Sequence, residues 1–287
     1  MWFFLALVTA FFTSLQDVCG IKIVHKADVY VIVWGWVFFC LPFLYAYLFV
    51  DGMSPIGPSF GKALAVSTVI LIIASILYMK AIKYSDLSIT MPMLAFTPLL
   101  LLITSPMILG EFPGMLGILG VIFIVGGSYV LHFQDRRLGL LEPFKRLYRE
   151  RGPRYMLLVA ILYSVGANID KIGVVNSSPI MWAAILNSVL AIAFGIIMFR
   201  RSKHVLRQIK SVWIFLVLIG FFNAVSAIAQ MTAIKMTLVP YLIAVKRVSV
   251  VMSSLFGFYL FKEKGVRERL IGVVLMVLGA ILILIFQ

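Results

Sequence analysis

AIKYSDLSITMPMLAFTPLLLLITSPMILGE, residues 81–111, and AIKMTLVPYLIAVKRVSVVMSSLFGFYLFKE, residues 233–263, align without a gap. Ala81, Ile82, Lys83 and Glu111 fall on Ala233, Ile234, Lys235 and Glu263, and the same offset of 152 residues sets Gly120 on Gly272 and Gly127 on Gly279. Tandem duplication explains this register better than chance. Both copies are built from apolar runs. Of the 287 residues, 63% are hydrophobic and 13% charged, with a mean hydropathy of +1.10, against ~45–50% apolar residues in soluble domains. The chain reads as an integral membrane protein.

A window of about 20 residues, the length that crosses a bilayer as a helix, predicts ten spans: 2–24, 29–50, 61–79, 87–109, 113–132, 155–175, 179–199, 210–234, 238–261 and 267–286. They recur along the whole length, which excludes a single anchor on a soluble domain. MWFFLALVTAFFTSLQ at the N-terminus has neither a basic n-region nor a small-x-small cleavage site, so it reads as the first span and not as a secretory signal. The one sizeable loop, HFQDRRLGLLEPFKRLYRERGPR (132–154), is charged, and its LLEPFKRLY portion is a candidate surface helix. The chain thus divides into a first repeat (1–132), a basic linker (133–154) and a second repeat (155–287), an all-α membrane fold. Five helices per copy is an odd number, so the second copy enters the membrane upside down. That is the inverted-repeat plan of secondary transporters, which hold substrate near the midplane between the repeats.

Twenty of the 25 Lys and Arg lie in alternate loops on one side, which the positive-inside rule makes cytoplasmic, with both termini outside. The same bias accounts for the formal charge of +14 without invoking nucleic acid. Short loops and the lack of a transit segment favour a prokaryotic cytoplasmic membrane. Cys19 and Cys40 have no metal or redox spacing, and His25, His132 and His204 sit at helix ends or in loops, so neither metal nor cofactor is expected.

Lys246 and Arg247 stand side by side inside the ninth span. Each costs at least ~2.5–3.5 kcal/mol on insertion scales, and such groups face a partner, a cavity or a substrate. Lys246, Ser249, Ser253 and Gly257 share a helical face, with Ser254 beside it. Two adjacent cations exceed what one carboxylate needs. An anionic ligand, above all a phosphate that accepts both the point charge of Lys and the planar fork of Arg, fits better. A structural pairing with Asp17 or Asp170, or a small-residue packing face, is the alternative.

The chain resembles the drug/metabolite transporter superfamily, ten-helix proteins built from two EamA-type repeats; the repeated AIK…GE pattern and the glycine-bearing fifth and tenth spans carry the likeness over essentially its whole length. More narrowly, AVKRVSVVMSSLFGFYLFKEK (244–264) resembles the ninth helix of the triose-phosphate and sugar-phosphate translocators. That resemblance implies that Lys246 and Arg247 bind the substrate phosphate. The branch takes a further cation from the other half, where the repeat mate of Lys246 is Leu94. The resemblance also implies a cavity lined by helices 1 to 4 and 6 to 9, with 5 and 10 outside it. Many EamA proteins instead export amino acids or other metabolites.

Asn223, Ser226 and Gln230 follow i, i+3, i+7 spacing on the eighth span, where Asn223 and Gln230 are candidates either to contact substrate or to hydrogen-bond between helices. Asn187, Trp34 and Trp36 add polar groups from spans 7 and 2, and Tyr78, Tyr163 and Tyr241 are cavity or interface-belt candidates. Asp17 and Asp170 are candidates to carry a proton during the cycle; pairing of Asp17 with Lys22 and of Asp170 with Lys171 is the plainer alternative. Pro92, Pro98 and Pro106, with Thr90 and Thr97, predict a bent fourth span, since proline removes a backbone donor, and Pro92 and Pro98 are the gating candidates. Glu111 and Glu263 suggest a fold role, as caps or as partners of Lys264 or Arg267.

The expected function is secondary transport of a small organic anion, driven by exchange or a proton, with export of amino acids or amphipathic compounds as the rival. An integral membrane lipid-head-group transferase is the alternative of another class, but the eleven acids are scattered, with no DxxD, HxxxD or Ser-His-Asp set. A receptor or scaffold would carry soluble domains or long loops.

Overall fold

Apolar runs with every backbone group bonded within the segment favour helices in a bilayer, and the computed structural model, which describes residues 1–85, 87–132, 142–253, 256 and 266–286, consists of helices. In chain order they are α1 (Trp2–Ile23), α2 (Val29–Phe38), α3 (Leu41–Asp51), α4 (Phe60–Tyr84), α5 (Leu87–Leu94), α6 (Thr97–Leu109), α7 (Met115–His132), α8 (Glu142–Arg149), α9 (Arg151–Val175), α10 (Pro179–Arg201), α11 (Val205–Met236), α12 (Val239–Lys246) and α13 (Val266–Phe286). Among the described residues seven stretches are long and apolar enough to cross a membrane by length and composition, and Met115–Leu131 and Leu270–Phe286 are shorter apolar helices. Residues 254–255 and 257–265, with Ser254, Gly257, Glu263 and Lys264, lie outside the described residues, as do 133–141 of the linker. Within the linker, α8 falls on the stretch read as a surface helix, and Arg154 Nε donates to Leu147 O at 2.7 Å at its C-terminal end.

Three of the expected spans are broken, among them the fourth, whose prolines predict a bend. The second parts at Phe39–Cys40, where Pro42 opens α3. The fourth parts at Ala95–Phe96 into α5 and α6, with Pro98 in the first turn of α6; the backbone tightens, Ala95 N donating to Pro92 O and Phe96 N to Met93 O, three residues back and not four. The ninth parts at Arg247–Val248, again through three-residue bonds to Ala244 O and Val245 O. Adding 152 to 95 and 96 gives 247 and 248, so the two copies break at the same register.

Packing follows the inverted repeat. α4 packs on α9 while α1 packs on α11, each pair the symmetry mate of the other, and α2 and α3 pack on α10. α7 and α13 pack on each other through their repeated glycines. A Cβ added to Gly127 would lie 2.5 Å from Gly272 O, and one added to Gly279 would lie 2.5 Å from Gly120 O, so backbone meets backbone where only hydrogen fits. Gly110 closes α6 with φ of 68°, a left-handed cap that spares a Cβ clash. The largest core joins both copies, from Leu44 and Leu101 to Trp182 and Leu242.

Candidate functional site

Proline at 98 has no N–H to offer the carbonyl four residues back, so Leu94 O loses its helical donor. Two side chains take that oxygen instead: Thr97 Oγ1 at 2.8 Å and, from the other repeat, Arg247 Nη2 at 3.0 Å. Leu94 is the repeat mate of Lys246. The two helix breaks therefore face each other, and the cation beside one fills the backbone gap left by the other.

Lys246 ends α12 and its Nζ donates to Gln230 Oε1 on α11 at 2.6 Å. Arg247 Nε is buried without a hydrogen-bond partner. Among the described residues no carboxylate lies within 4.0 Å of either cation. Both are within electrostatic range of Asp17, and Lys246 also of Asp170. Such charges, short of contact, interact far more strongly away from water than at a surface.

The two acids have neutral partners. Asp17 accepts from Ser253 Oγ at 3.2 Å, linking α1 to the helical segment that follows the turn at Arg247–Val248. Asp170, buried on α9, accepts from Ser67 Oγ at 2.7 Å and Trp182 Nε1 at 3.3 Å. Two residues earlier on α9, Asn168 accepts from Ser105 Oγ at 2.6 Å and donates to Thr104 Oγ1 at 3.0 Å. These bonds tie α4 and α6 of one copy to α9 of the other. Ser67 and Trp182 at Asp170, and Ser105 and Thr104 at Asn168, were not singled out by the sequence; apart from the polar residue each pair binds, they carry no signal of their own.

Lys171 does not pair with Asp170. Its ammonium binds Glu111, and also donates to Thr237 O at 2.7 Å; Glu111 Oε2 in turn accepts from Val239 N at 2.9 Å, capping the start of α12. The expected fold role of Glu111 thus takes the form of a cap and an ion pair with Lys171; the candidate partner Lys264 lies outside the described residues. Asp17 and Lys22 form no ion pair within 4.0 Å.

Of the other singled-out residues, Ser249 is buried where the helix resumes after the turn at Arg247–Val248. Asn223 Nδ2 donates to Trp36 O at 3.1 Å and Ser226 lies 3.0 Å from Thr13 Oγ1, both between helices of different copies. Tyr241 is 1% exposed and its hydroxyl accepts from Gly114 N at 3.0 Å, against α7. Asn187 bonds its own helix at Ala183 O. Pro92 lies inside α5 and Pro106 inside α6. Cys19 and Cys40 are free thiols. No group of three or more His, Cys, Asp or Glu among the described residues is placed to hold a metal ion.

A family model described as EamA-like transporter family matches residues 1–133 and 151–285. The chain belongs to the EamA-like transporter family. It is therefore an integral membrane transporter of small molecules, in a family of transporters and not of enzymes. A solved structure whose description reads "Crystal structure of protein" superposes with a TM-score of 0.79 at 15% identity, over 99% of this chain and 97% of that one, which establishes a shared fold. No curated protein matches the chain. The EamA-like match spans both copies and leaves out only the linker and the last two residues.

Proposed function

We propose that this EamA-like chain moves a small organic anion, phosphate-bearing metabolites foremost, by alternating access, with Lys246 and Arg247 holding the anion. One observation carries the reading: two cations deep in a membrane-spanning bundle have neutral hydrogen-bond partners and no carboxylate within 4.0 Å among the described residues. Unpaired buried charge is costly, and a visiting anion would offset that cost. The resemblance of the ninth helix to the sugar-phosphate translocators points the same way. Ser249, Ser253, Asn223, Gln230 and Tyr241 are proposed to complete the lining, and the breaks next to Pro92 and Pro98 to bend as the copies rock. Asp17 and Asp170, bonded to hydroxyl and indole donors instead of cations, are the groups proposed to couple a proton or exchange the charge. The Lys and Arg bias supports an orientation with both termini outside.

A second reading, transport of a zwitterion such as an amino acid, draws on the same acids: Asp17 and Asp170 both lie within electrostatic range of Lys246 and would suit a ligand bearing an ammonium as well as a carboxylate.

Thermal-shift measurements on purified protein separate the two. A ligand that binds only the folded state stabilises it by about 2.7 kcal/mol at 100 times its Kd. Inorganic phosphate and organophosphates are expected to raise the Tm of the wild type and to lose that effect in Lys246→Gln and Arg247→Gln. Stabilisation by neutral amino acids, indifferent to millimolar phosphate, would favour the zwitterion. Flux of the stabilising compound into sealed vesicles is expected in the wild type and reduced at least tenfold in Lys246→Gln; a chemically altered ligand recovered in place of flux would refute transport.

A further inference from the structure

On the side of the bundle away from Lys246, α2 and α3 diverge from α10 to leave an open apolar groove of about 660 Å³, lined by Trp34, Phe38, Ala191, Ile196, Phe199 and, at one end, Arg200. We infer that this groove binds a phospholipid with a negatively charged head group, its acyl chain lying along α10 and its phosphate at Arg200.

The walls are built by the sequence. Trp34 and Phe38 stack with centroids 4.3 Å apart, and Gly195 lets the indole sit against α10, since a Cβ there would lie 3.2 Å from Trp34 Nε1. Ile192 and Phe199, also on this face, are 68% and 65% exposed, a surface for hydrocarbon and not for water. The inner end is closed by a cross-helix hydrogen bond, Tyr45 to Ser188, at 2.9 Å. From Ser188 to Arg200 is twelve helical residues, about 18 Å at 1.5 Å each, close to half of a ~30 Å hydrocarbon core. The groove therefore spans one leaflet, from mid-bilayer to the head-group level.

Charge selects the occupant. Arg200 and Arg201 close α10 and Lys203 follows, all exposed, on the side that holds most of the Lys and Arg. No carboxylate among the described residues lies within 4.0 Å of any of the three. Cations clustered at the head-group level beside a groove between membrane helices attract anionic lipid, and such basic pockets bind acidic head groups.

The test uses the full chain in neutral detergent, with phosphatidylglycerol or phosphatidylcholine of identical acyl chains added at equal mole fraction. Native mass spectrometry is expected to retain at least fivefold more phosphatidylglycerol than phosphatidylcholine on the wild type. Arg200→Lys is expected to keep that preference, whereas Arg200→Gln reduces it at least threefold. Ile196→Trp, which fills the groove from an exposed position, is expected to lower retention of both lipids. Equal retention of the two lipids by the wild type overturns the inference, as does an Arg200→Gln variant with undiminished preference. Should Ile196→Trp instead halve the particle mass and leave lipid retention unchanged, the groove seats a second copy of the chain and the lipid reading falls.

Discussion

Replacing Glu111 by Gln should destabilise the bundle more than either of its two bonds taken alone would suggest. The carboxylate is 11% exposed and Lys171 16%, so the charge left behind stays largely out of water. Breaking a buried pair from one side costs about 3–5 kcal/mol; with the residual exposure and the surviving bond from Lys171 to Thr237 O, about 2–3 kcal/mol is expected. The amide keeps one oxygen, so it can serve the Lys171 ammonium or Val239 N but not both, and the donor left out adds about 0.5–1 kcal/mol, the scale of a helix N-cap. The decisive arm is the double variant. Lys171→Met alone strands the carboxylate at a similar cost of about 2–3 kcal/mol, but Glu111→Gln with Lys171→Met removes both charges and should cost only about 1 kcal/mol, giving a coupling energy of about 3 kcal/mol or more. Reversible unfolding of the four proteins in mixed micelles measures this. If the two single changes add to within about 0.5 kcal/mol, the pair carries no coupling and the reasoning fails.

Two further outcomes follow from local geometry. Gly127→Leu places a side chain where backbone already stands 2.5 Å from a Cβ position, so it should cost about 1–3 kcal/mol and lower the Tm, while Gly126→Leu, with open space around it, should leave the Tm within about 2 °C. Pro98→Ala restores an amide that competes with Arg247 for Leu94 O; affinity for the stabilising anion should change at least threefold with the fold intact by circular dichroism, and an unchanged affinity would separate that carbonyl from the site.

Membership in an all-helical, twice-repeated membrane framework was legible because length, apolarity and a gapless 152-residue register are properties of the chain alone. The break in the fourth span was legible too, since Pro92 and Pro98 each delete a donor. The matching break at Arg247–Val248 was not: no proline lies there, and only transferring the first copy's break by the repeat offset would have found it. Lys246 and Arg247 stood out because charge amid hydrocarbon is conspicuous. Gln230 was flagged as a polar candidate, but its pairing with Lys246 and that of the Leu94 carbonyl with Arg247 were not legible, because such contacts exist only once folding brings the groups within reach. The choice of Glu111 over Asp170 by Lys171 likewise depends on where a loop after α6 lands, which no helical periodicity encodes.

The facing fractures have a consequence for energetics. The scaffold is close to twofold, yet the twofold places Leu94 and Ala95 opposite Lys246 and Arg247, so the positive charge belongs to one copy only. In an inverted duplication, swapping the postures of the halves turns the chamber from one face of the bilayer to the other. Were the halves identical, the two postures would be equal in energy. In the proposed alternating-access cycle the electric field would move with the second half, giving the empty protein a preferred resting direction that a bound anion would reset by neutralising it.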